Sequence, residues 1–284
     1  MSHSMPPSAA VGDQDDKASA DYVLGHSDRE LERLRRQGVL FSDLTRDLLI
    51  RAGVKKGMQV LDIGCGVGDV SLIAADLVSQ GGSVTGIDPA AEALAIARAR
   101  LNGRAGVRFS PGTLESLEGC SSFDAAIGRF ILIHLANPAE ALSGLRSRLR
   151  SGAIMSFIEF DLSTAAAYPP LTLLQQCIGW VGEVYHRMGR QLDMGVALFG
   201  AFRAAGLNPQ MVGLTRITTA DDEAGIDFLV ESVRSLLPAM VKLGIATEET
   251  VNIDTLRQRL LQEATTGDHC VFYPRLVGAW ASVP

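Results

Sequence analysis

The sequence has 284 residues, of which 47% are hydrophobic and 20% are charged, so it is long and apolar enough for one large domain, or one domain with sizeable insertions, around a buried core. Its formal net charge is −6 at pH 7, which argues against a nucleic-acid partner because enzymes that act on DNA or RNA generally present a basic face to the phosphates. No apolar run reaches the roughly 18 residues that cross a bilayer, so no membrane partner is expected.

The cysteines indicate the compartment. Cys65, Cys120, Cys177 and Cys270 lie far apart and form neither a C-x-x-C pair nor a cluster with histidine. That spacing predicts no disulfide framework and no metal site, and a reducing cytoplasm fits it best. Residues 1–20 are polar and rich in small side chains, so they are predicted to be a disordered tail and not a signal peptide.

Residues 21–50 are predicted to form a helical lid over the domain that follows. Leucines recur at helical spacing between Leu31 and Leu49, which predicts one or two amphipathic helices. Asp28 is the expected N-cap, and Gly38 is expected to mark the break or bend between the helices.

From Met58 onward, short apolar strands alternate with helices. Five strands are predicted in the segments QVLDIG, SVTGID, VRFSPG, FDAAIGRF and AIMSFIEFD. A helical insertion at about 162–208 precedes a sixth strand in QMVGLTRI, and a second insertion at about 218–268 precedes a seventh in HCVFYPRLVGAW. The pattern predicts an α/β fold over residues 51–284, with a doubly wound, mostly parallel seven-stranded sheet.

The segment VLDIGCGVGDVSL carries a glycine-rich turn between the first strand and the following helix. Gly64, Gly66 and Gly68 supply the positive-φ freedom and the close backbone approach that a ligand needs at such a turn. A dinucleotide fingerprint would need a third glycine where this chain has Asp69, and a phosphate-binding P-loop would end in Gly-Lys-Ser/Thr. Because an aspartate there would repel a pyrophosphate, the loop suits a ligand without phosphate.

Two carboxylates flank this turn. Asp62 precedes the first glycine by two residues, where it either contacts an ammonium group of the ligand or braces the loop. Asp88 ends the second strand, where it can accept hydrogen bonds from both hydroxyls of a ribose. A ribose on one side and an amino-acid-like zwitterion on the other describe S-adenosylmethionine.

Four segments, in order along the chain, resemble the motifs of class I S-adenosylmethionine-dependent methyltransferases: VLDIGCGVGDVSL, VTGIDPAAEAL, FDAAIGRFILIHLANP and LRSGAIMSFIEF. Two further segments, DYVLGHSDRELERL and YPRLVGAW, resemble a bacterial subgroup that acts on small molecules. The resemblance implies a Rossmann-like methyltransferase fold, S-adenosylmethionine as cofactor and a small-molecule methyl acceptor, with a homodimer as one candidate assembly.

The resemblance also implies where the cofactor binds. The implied contacts are Tyr22 in the lid; Asp62, Gly64, Cys65 and Gly66 at the first turn; Asp88 and Pro89 after the second strand; and Thr113, Leu114, Arg129 and Phe130 after the third and fourth strands. Asp88 would bind the ribose, and Pro89 would pack near the adenine. The family usually has an acidic residue in a G-D-A pattern after the third strand, where this chain has Thr113 to hydrogen-bond the adenine and Leu114 to pack on it.

No residue is an unmistakable catalytic base. The candidates are Tyr185 and His186 after the fifth strand, Glu159 at its end and His26 in the lid, each with an ordinary core or surface role as the alternative. The predicted activity is in-line methyl transfer to O, N or C of a small, partly apolar metabolite, for which orientation of the acceptor is the main requirement. A non-catalytic S-adenosylmethionine-binding module and an NAD(P)-dependent oxidoreductase are the alternatives.

Overall fold

The structure is a computed structural model that describes residues 28–114, 116–117 and 122–284. The predicted tail at 1–20 and the candidate residues Tyr22 and His26 therefore lie outside the described residues.

Two helices precede the sheet, α1 (Asp28–Leu40) and α2 (Ser42–Ala52). The predicted break at Gly38 is wrong, because α1 continues through Gly38 and ends one residue before Phe41. A side chain at Gly38 would overlap the carboxylate of Asp69, so glycine serves here as a point of close contact between α1 and the rest of the chain.

The main sheet has the predicted seven strands. They are β1 (Gln59–Ile63), β2 (Ser83–Asp88), β3 (Val107–Pro111), β4 (Ala125–Arg129), β5 (Ile154–Asp161), β7 (Gln210–Leu214) and β10 (Arg275–Ser282). Their order in the sheet is β3-β2-β1-β4-β5-β10-β7. The pairs from β3 to β5 are parallel, whereas β10 runs antiparallel to both β5 and β7. The prediction of a doubly wound, mostly parallel sheet is confirmed.

A second, small sheet was not predicted. It consists of β6 (Ala166–Tyr168), β8 (Ile217–Thr219) and β9 (Cys270–Phe272), with antiparallel pairing and β9 in the middle. The segment predicted to form only the seventh strand therefore forms two strands, β9 in the small sheet and β10 in the main sheet. Pro274 stands between β9 and β10, and because proline has no N–H to donate, it ends the first ladder before the second begins.

Helices cover both faces of the main sheet and the carboxyl ends of its strands. They are α3 (Asp69–Val78), α4 (Ala91–Ala99), α5 (Pro138–Arg148), α6 (Thr172–Arg187), α7 (Met194–Ala204), α8 (Glu223–Lys242), α9 (Glu248–Val251) and α10 (Ile253–Ala264). Helices α6, α8 and α10 pack against one another, and α1 packs on α8 and α3. One hydrophobic cluster joins Leu61 and Phe157 of the sheet to Val184 of α6 and Val233 of α8, so these helices share the core of the domain.

None of the helices in the described ranges is both long enough and apolar enough to cross a membrane.

Candidate functional site

The turn after β1 presents its backbone to a large cavity. Gly64, Gly66 and Gly68 have φ values of +66°, +51° and +87°, in the region that favours glycine. A Cβ at Gly64 would lie 2.6 Å from Cδ1 of Ile131, so that position has no room for a side chain. A Cβ at Gly66 would meet no atom within 4 Å, which places the open side of the turn toward the cavity.

Asp88 connects this turn to the end of β2. Its Oδ2 accepts a hydrogen bond of 2.9 Å from the Gly66 N–H, and its Oδ1 accepts one of 2.9 Å from the Ala90 N–H. The side chain lines the cavity. The two N–H groups therefore hold a carboxylate at the cavity wall, as predicted from its position at the strand end.

Asp62 lies behind the turn and does not line the cavity. The Ser71 hydroxyl donates a 2.5 Å hydrogen bond to Asp62 Oδ2, while Oδ1 has no hydrogen-bond partner among the described residues. Burial raises the pKa of this carboxyl to about 7, which the Ser71 bond and the charge of Arg129 oppose. Of the two roles considered for Asp62, these contacts favour bracing the loop.

Arg129 and Phe130 line the cavity at the end of β4. Arg129 Nη1 donates a 2.8 Å hydrogen bond to Thr45 Oγ1 in α2, and Arg129 Cζ lies 5.3 Å from the centroid of the Phe130 ring. Burial lowers the pKa of Arg129, and the charges of Asp69 and Asp62 oppose that shift. Phe130 has a φ of +57°, a strained conformation for a bulky residue, and its N–H donates to the Ile158 carbonyl at 2.9 Å.

The cavity has a volume of about 1340 Å³. Nine of the eleven residues predicted to contact the cofactor line it, namely Gly64, Cys65, Gly66, Asp88, Pro89, Thr113, Leu114, Arg129 and Phe130. The tenth, Asp62, lies behind the wall, and Tyr22 is outside the described residues. The loops after four neighbouring strands thus converge on one space, as expected at the carboxyl edge of a doubly wound sheet.

The proposed catalytic bases have different surroundings. Tyr185 is buried and lines the cavity, whereas His186 is exposed and does not, because adjacent residues of α6 point about 100° apart. Glu159 is fully buried outside the cavity lining, and its Oε1 accepts a 2.7 Å hydrogen bond from the Leu132 N–H. Burial raises the pKa of Glu159 to about 8, against the backbone hydrogen bonds that favour its charged form. Neither His186 nor Glu159 lines the cavity, which disfavours both as candidate bases.

Three polar residues at the cavity wall were missed by sequence reasoning. Arg33 and Gln37 of α1 are buried, and the Arg33 guanidinium lies 5.9 Å from the centroid of the Phe228 ring. Their i, i+4 spacing, which puts two polar side chains on the apolar face of α1, is the signal that could have identified them. His134 also lines the cavity, and burial together with the charges of Arg190 and Arg33 lowers its pKa to about 4.

The described residues contain no group of three or more His, Cys, Asp or Glu side chains that could hold a metal ion.

Comparison with known proteins finds similarity to methyltransferases. Residues 54–187 match the family model described as a methyltransferase domain. An uncharacterized 37.1 kDa protein from transposon Tn4556 of Streptomyces fradiae is 32% identical over 188 residues, which cover 60% of this chain and 54% of that protein. The ubiquinone biosynthesis O-methyltransferase of Rickettsia prowazekii is 29% identical over 131 residues, covering 45% of this chain and 50% of that enzyme.

The fold is similar to that of a solved structure. The YcgJ protein of Bacillus subtilis matches with a TM-score of 0.54 and 19% identity over 84% of this chain and 99% of that one. The chain spans about half the length of the curated relatives it matches. Residues 54–187 are thus similar to a methyltransferase domain, and the sheet order and the converging loops agree with that similarity.

Proposed function

We propose that the protein uses S-adenosylmethionine to methylate O, N or C of a small, partly apolar metabolite. The observation that carries the proposal is the cavity itself, which extends from the Gly64–Gly66 turn and Asp88 to an apolar space between α6, α8 and α10. A cofactor site that opens directly into a second, apolar space is suited to bringing two small molecules into contact.

The residues of the turn fit S-adenosylmethionine. The open side of Gly66 admits the methionyl chain against the backbone, and the Asp88 carboxylate would accept hydrogen bonds from the ribose hydroxyls. Leu114 and Pro89 would flank the adenine. When bound, the cofactor supplies a methyl group made electrophilic by the neighbouring sulfonium.

Arg33 and Gln37 would complete the part of the site that binds the methionyl end of the cofactor. Arg33 is a buried cation in the same cavity as the turn, so a carboxylate of the amino-acid part would lower the cost of keeping it there. Gln37 can donate to the same carboxylate from one helical turn further along α1. Both residues lie within the segment 21–50, which we propose acts as a lid.

The protein's part in the reaction is to orient the acceptor and exclude water. Orientation of this kind contributes as much as about 7–11 kcal/mol to lowering a barrier. An alcohol or phenol acceptor must also lose its proton, and His134 and Tyr185 line the cavity at positions from which they could receive it or relay it. With a pKa of about 4, His134 is neutral at pH 7 and therefore able to accept a proton, although as a weak base.

The net charge of −6 supports a small-molecule acceptor over a nucleic acid. The three free cysteines among the described residues support a reducing, cytoplasmic setting. We propose that the insertions at about 162–208 and 218–268 bind the acceptor. A homodimer stays a prediction, which sedimentation velocity would test.

Two experiments test the proposal. The first is calorimetry of the protein with S-adenosylhomocysteine and with NAD(H). The second is incubation of the protein with S-adenosylmethionine and a metabolite extract. We expect the adenosyl ligand to bind, NAD(H) not to bind, and S-adenosylhomocysteine to accumulate only when the extract is present. Tight binding without turnover in any extract would favour a non-catalytic binding module. Preferential binding of NAD(H) would favour an oxidoreductase.

A further inference from the structure

We infer that the methyl acceptor is an extended hydrophobic molecule, whose hydrocarbon body lies between α6, α8 and α10 and whose reacting polar group lies at the end nearest the glycine turn. This inference rests on the proposed function and names its acceptor class. We call the space that holds the hydrocarbon body the apolar chamber. Its walls are Leu174, Ile178 and Val181 of α6, Leu229 and Leu236 of α8, and Leu260 of α10.

The walls of the apolar chamber are long in one direction. Leu174 and Val181 are seven residues apart on α6, and Leu229 and Leu236 are seven apart on α8, so each pair lies on one face of its helix. At a rise of 1.5 Å per residue, seven residues span about 10 Å. Two facing apolar strips of that length suit a chain or a fused-ring body, whereas a compact polar metabolite would leave most of their surface without contact.

Several polar side chains near the apolar chamber already have partners within the protein. The Ser232 hydroxyl donates to the Phe228 carbonyl at 2.8 Å, and the Tyr273 hydroxyl donates to Asp222 Oδ2 at 2.9 Å. The Glu263 carboxylate accepts from the N–H groups that begin α6, at 2.9 Å from Leu173. Hydroxyl groups on a substrate body placed here would lose their water without gaining equivalent partners, which disfavours a polyhydroxylated acceptor.

The size of the cavity leaves room for such a molecule beside the cofactor. Pockets for one drug-sized ligand measure about 300–1,000 Å³, and the cavity measures about 1340 Å³. Most charged side chains of the cavity wall come from the α1 side and from the segments around the glycine turn, namely Arg33, Arg129, Asp69, Asp88 and Glu92. Asp222 and Glu263 lie on the chamber side, where each already accepts a hydrogen bond from within the protein. The polar end of an acceptor would therefore meet the cofactor while its hydrocarbon end enters the chamber.

A series of 4-alkylphenols from ethyl to hexyl, titrated into the full-length protein with S-adenosylhomocysteine present, tests the inference. We expect affinity to rise about fourfold per added methylene until the chamber is full, as expected for burial of hydrocarbon. Phenyl glycosides of similar size should not bind. An affinity that does not change with chain length, or glycosides that bind as well as the alkylphenols, would overturn the inference.

Two variants test whether the alkylphenols bind in the apolar chamber. Leu229→Trp narrows it, and we expect at least a tenfold loss of hexylphenol affinity with S-adenosylhomocysteine binding unchanged; Ile178→Trp provides the same test if Leu229→Trp does not fold. Val196→Trp, on an exposed position of α7, is the matched control and should change neither affinity. Equal losses in the control and the chamber variants would show non-specific adsorption and refute the inference. Alkylphenol binding without any binding of S-adenosylhomocysteine would leave the chamber in place and refute the proposed function.

Discussion

The carboxylate of Asp69 stands where a side chain on Gly38 would have to be. Asp69 begins α3 directly after the glycine turn, and it is held by an ion pair in which Arg100 Nη2 lies 2.7 Å from Asp69 Oδ1. The helix that carries Arg33 and Gln37 is thereby packed against the start of the helix that follows the turn. One small residue sets the distance between the proposed lid and the proposed cofactor site.

Gly38→Ala should separate these two helices. Alanine favours a helix by about 1 kcal/mol over glycine, but overpacking against a fixed carboxylate costs about 1–3 kcal/mol, so we expect a net loss of stability and weaker S-adenosylhomocysteine binding. Gly179→Ala, at an exposed position of α6 where a Cβ meets nothing within 4 Å, is the matched control and should be neutral or stabilising. Thermal unfolding measures the stability of both variants, and calorimetry measures their affinity for S-adenosylhomocysteine. A stabilised Gly38→Ala variant with unchanged affinity would show that the contact between Gly38 and Asp69 does not set the distance between α1 and α3.

Asp88→Asn should weaken cofactor binding by about 10- to 100-fold, because a charged hydrogen-bond acceptor contributes about 1.5–3 kcal/mol. Asp124 offers a control, since it also accepts a backbone N–H bond, of 2.7 Å from Gln59, but lies outside the cavity lining. Asp124→Asn should leave affinity unchanged. If calorimetry gives the two variants equal affinities for S-adenosylhomocysteine, Asp88 does not contact the ribose.

The stability of the protein should fall as pH rises toward 8, in part through Glu159. Its folded pKa of about 8 lies above the ordinary value of 4.5, so the folded state binds a proton that the unfolded state has released between these two values. The contribution is therefore fully present below about pH 4.5 and is lost as pH rises to about 8, at no more than about 1.4 kcal/mol per pH unit.

Glu159→Gln isolates this effect. A neutral amide keeps an acceptor for the Leu132 N–H, so the variant should become more stable relative to the wild type as pH is raised from 5 to 9 in denaturant titrations. Glu159→Leu removes the acceptor and should be less stable than Glu159→Gln at every pH, by about 1–3 kcal/mol. A constant difference between the Gln variant and the wild type across this range would contradict the raised pKa.

Tyr185 and His186 are adjacent in sequence but differ in exposure, which makes them a useful pair. Tyr185→Phe should lower kcat/KM for the acceptor by about tenfold, the effect of losing one well-placed hydrogen bond, without changing the affinity for S-adenosylhomocysteine. His186→Ala should change neither, because His186 is exposed and lies outside the cavity. A loss of turnover confined to the His186 variant would require a different arrangement of α6.

Much of the main sheet and of the candidate cofactor site is predictable because the signals are local in sequence. The strands β1, β2, β4 and β5 are continuous apolar runs, and the glycine turn is contiguous in sequence, so the residues around it could be assigned to one site. The small sheet was missed because strands of three residues are too short for a periodicity of two to be recognised. Gly38 was misread because a glycine inside a helix and a glycine between helices leave the same local signal.

The part of the cavity that we propose binds the methyl acceptor could not be predicted in the same way. The helices α6, α8 and α10 were expected, but the faces they turn toward one another depend on packing between separate segments, with 35 residues between α6 and α8 and 10 between α8 and α10. Arg33 and His134 line the same cavity although they are 101 positions apart in the chain. No local pattern encodes such a meeting, because it results from tertiary packing.

The reversed strand β10 has a consequence for biosynthesis. It fills the gap between β5 and β7, and its first residue, Arg275, pairs with Asp161, 114 positions earlier. While the chain emerges from the ribosome, one edge of β5 therefore keeps its backbone N–H and C=O groups unpaired, and the sheet is completed only after residues 275–282 have been made. A stalled or truncated translation product lacking those residues would expose that edge and should be prone to self-association and proteolysis.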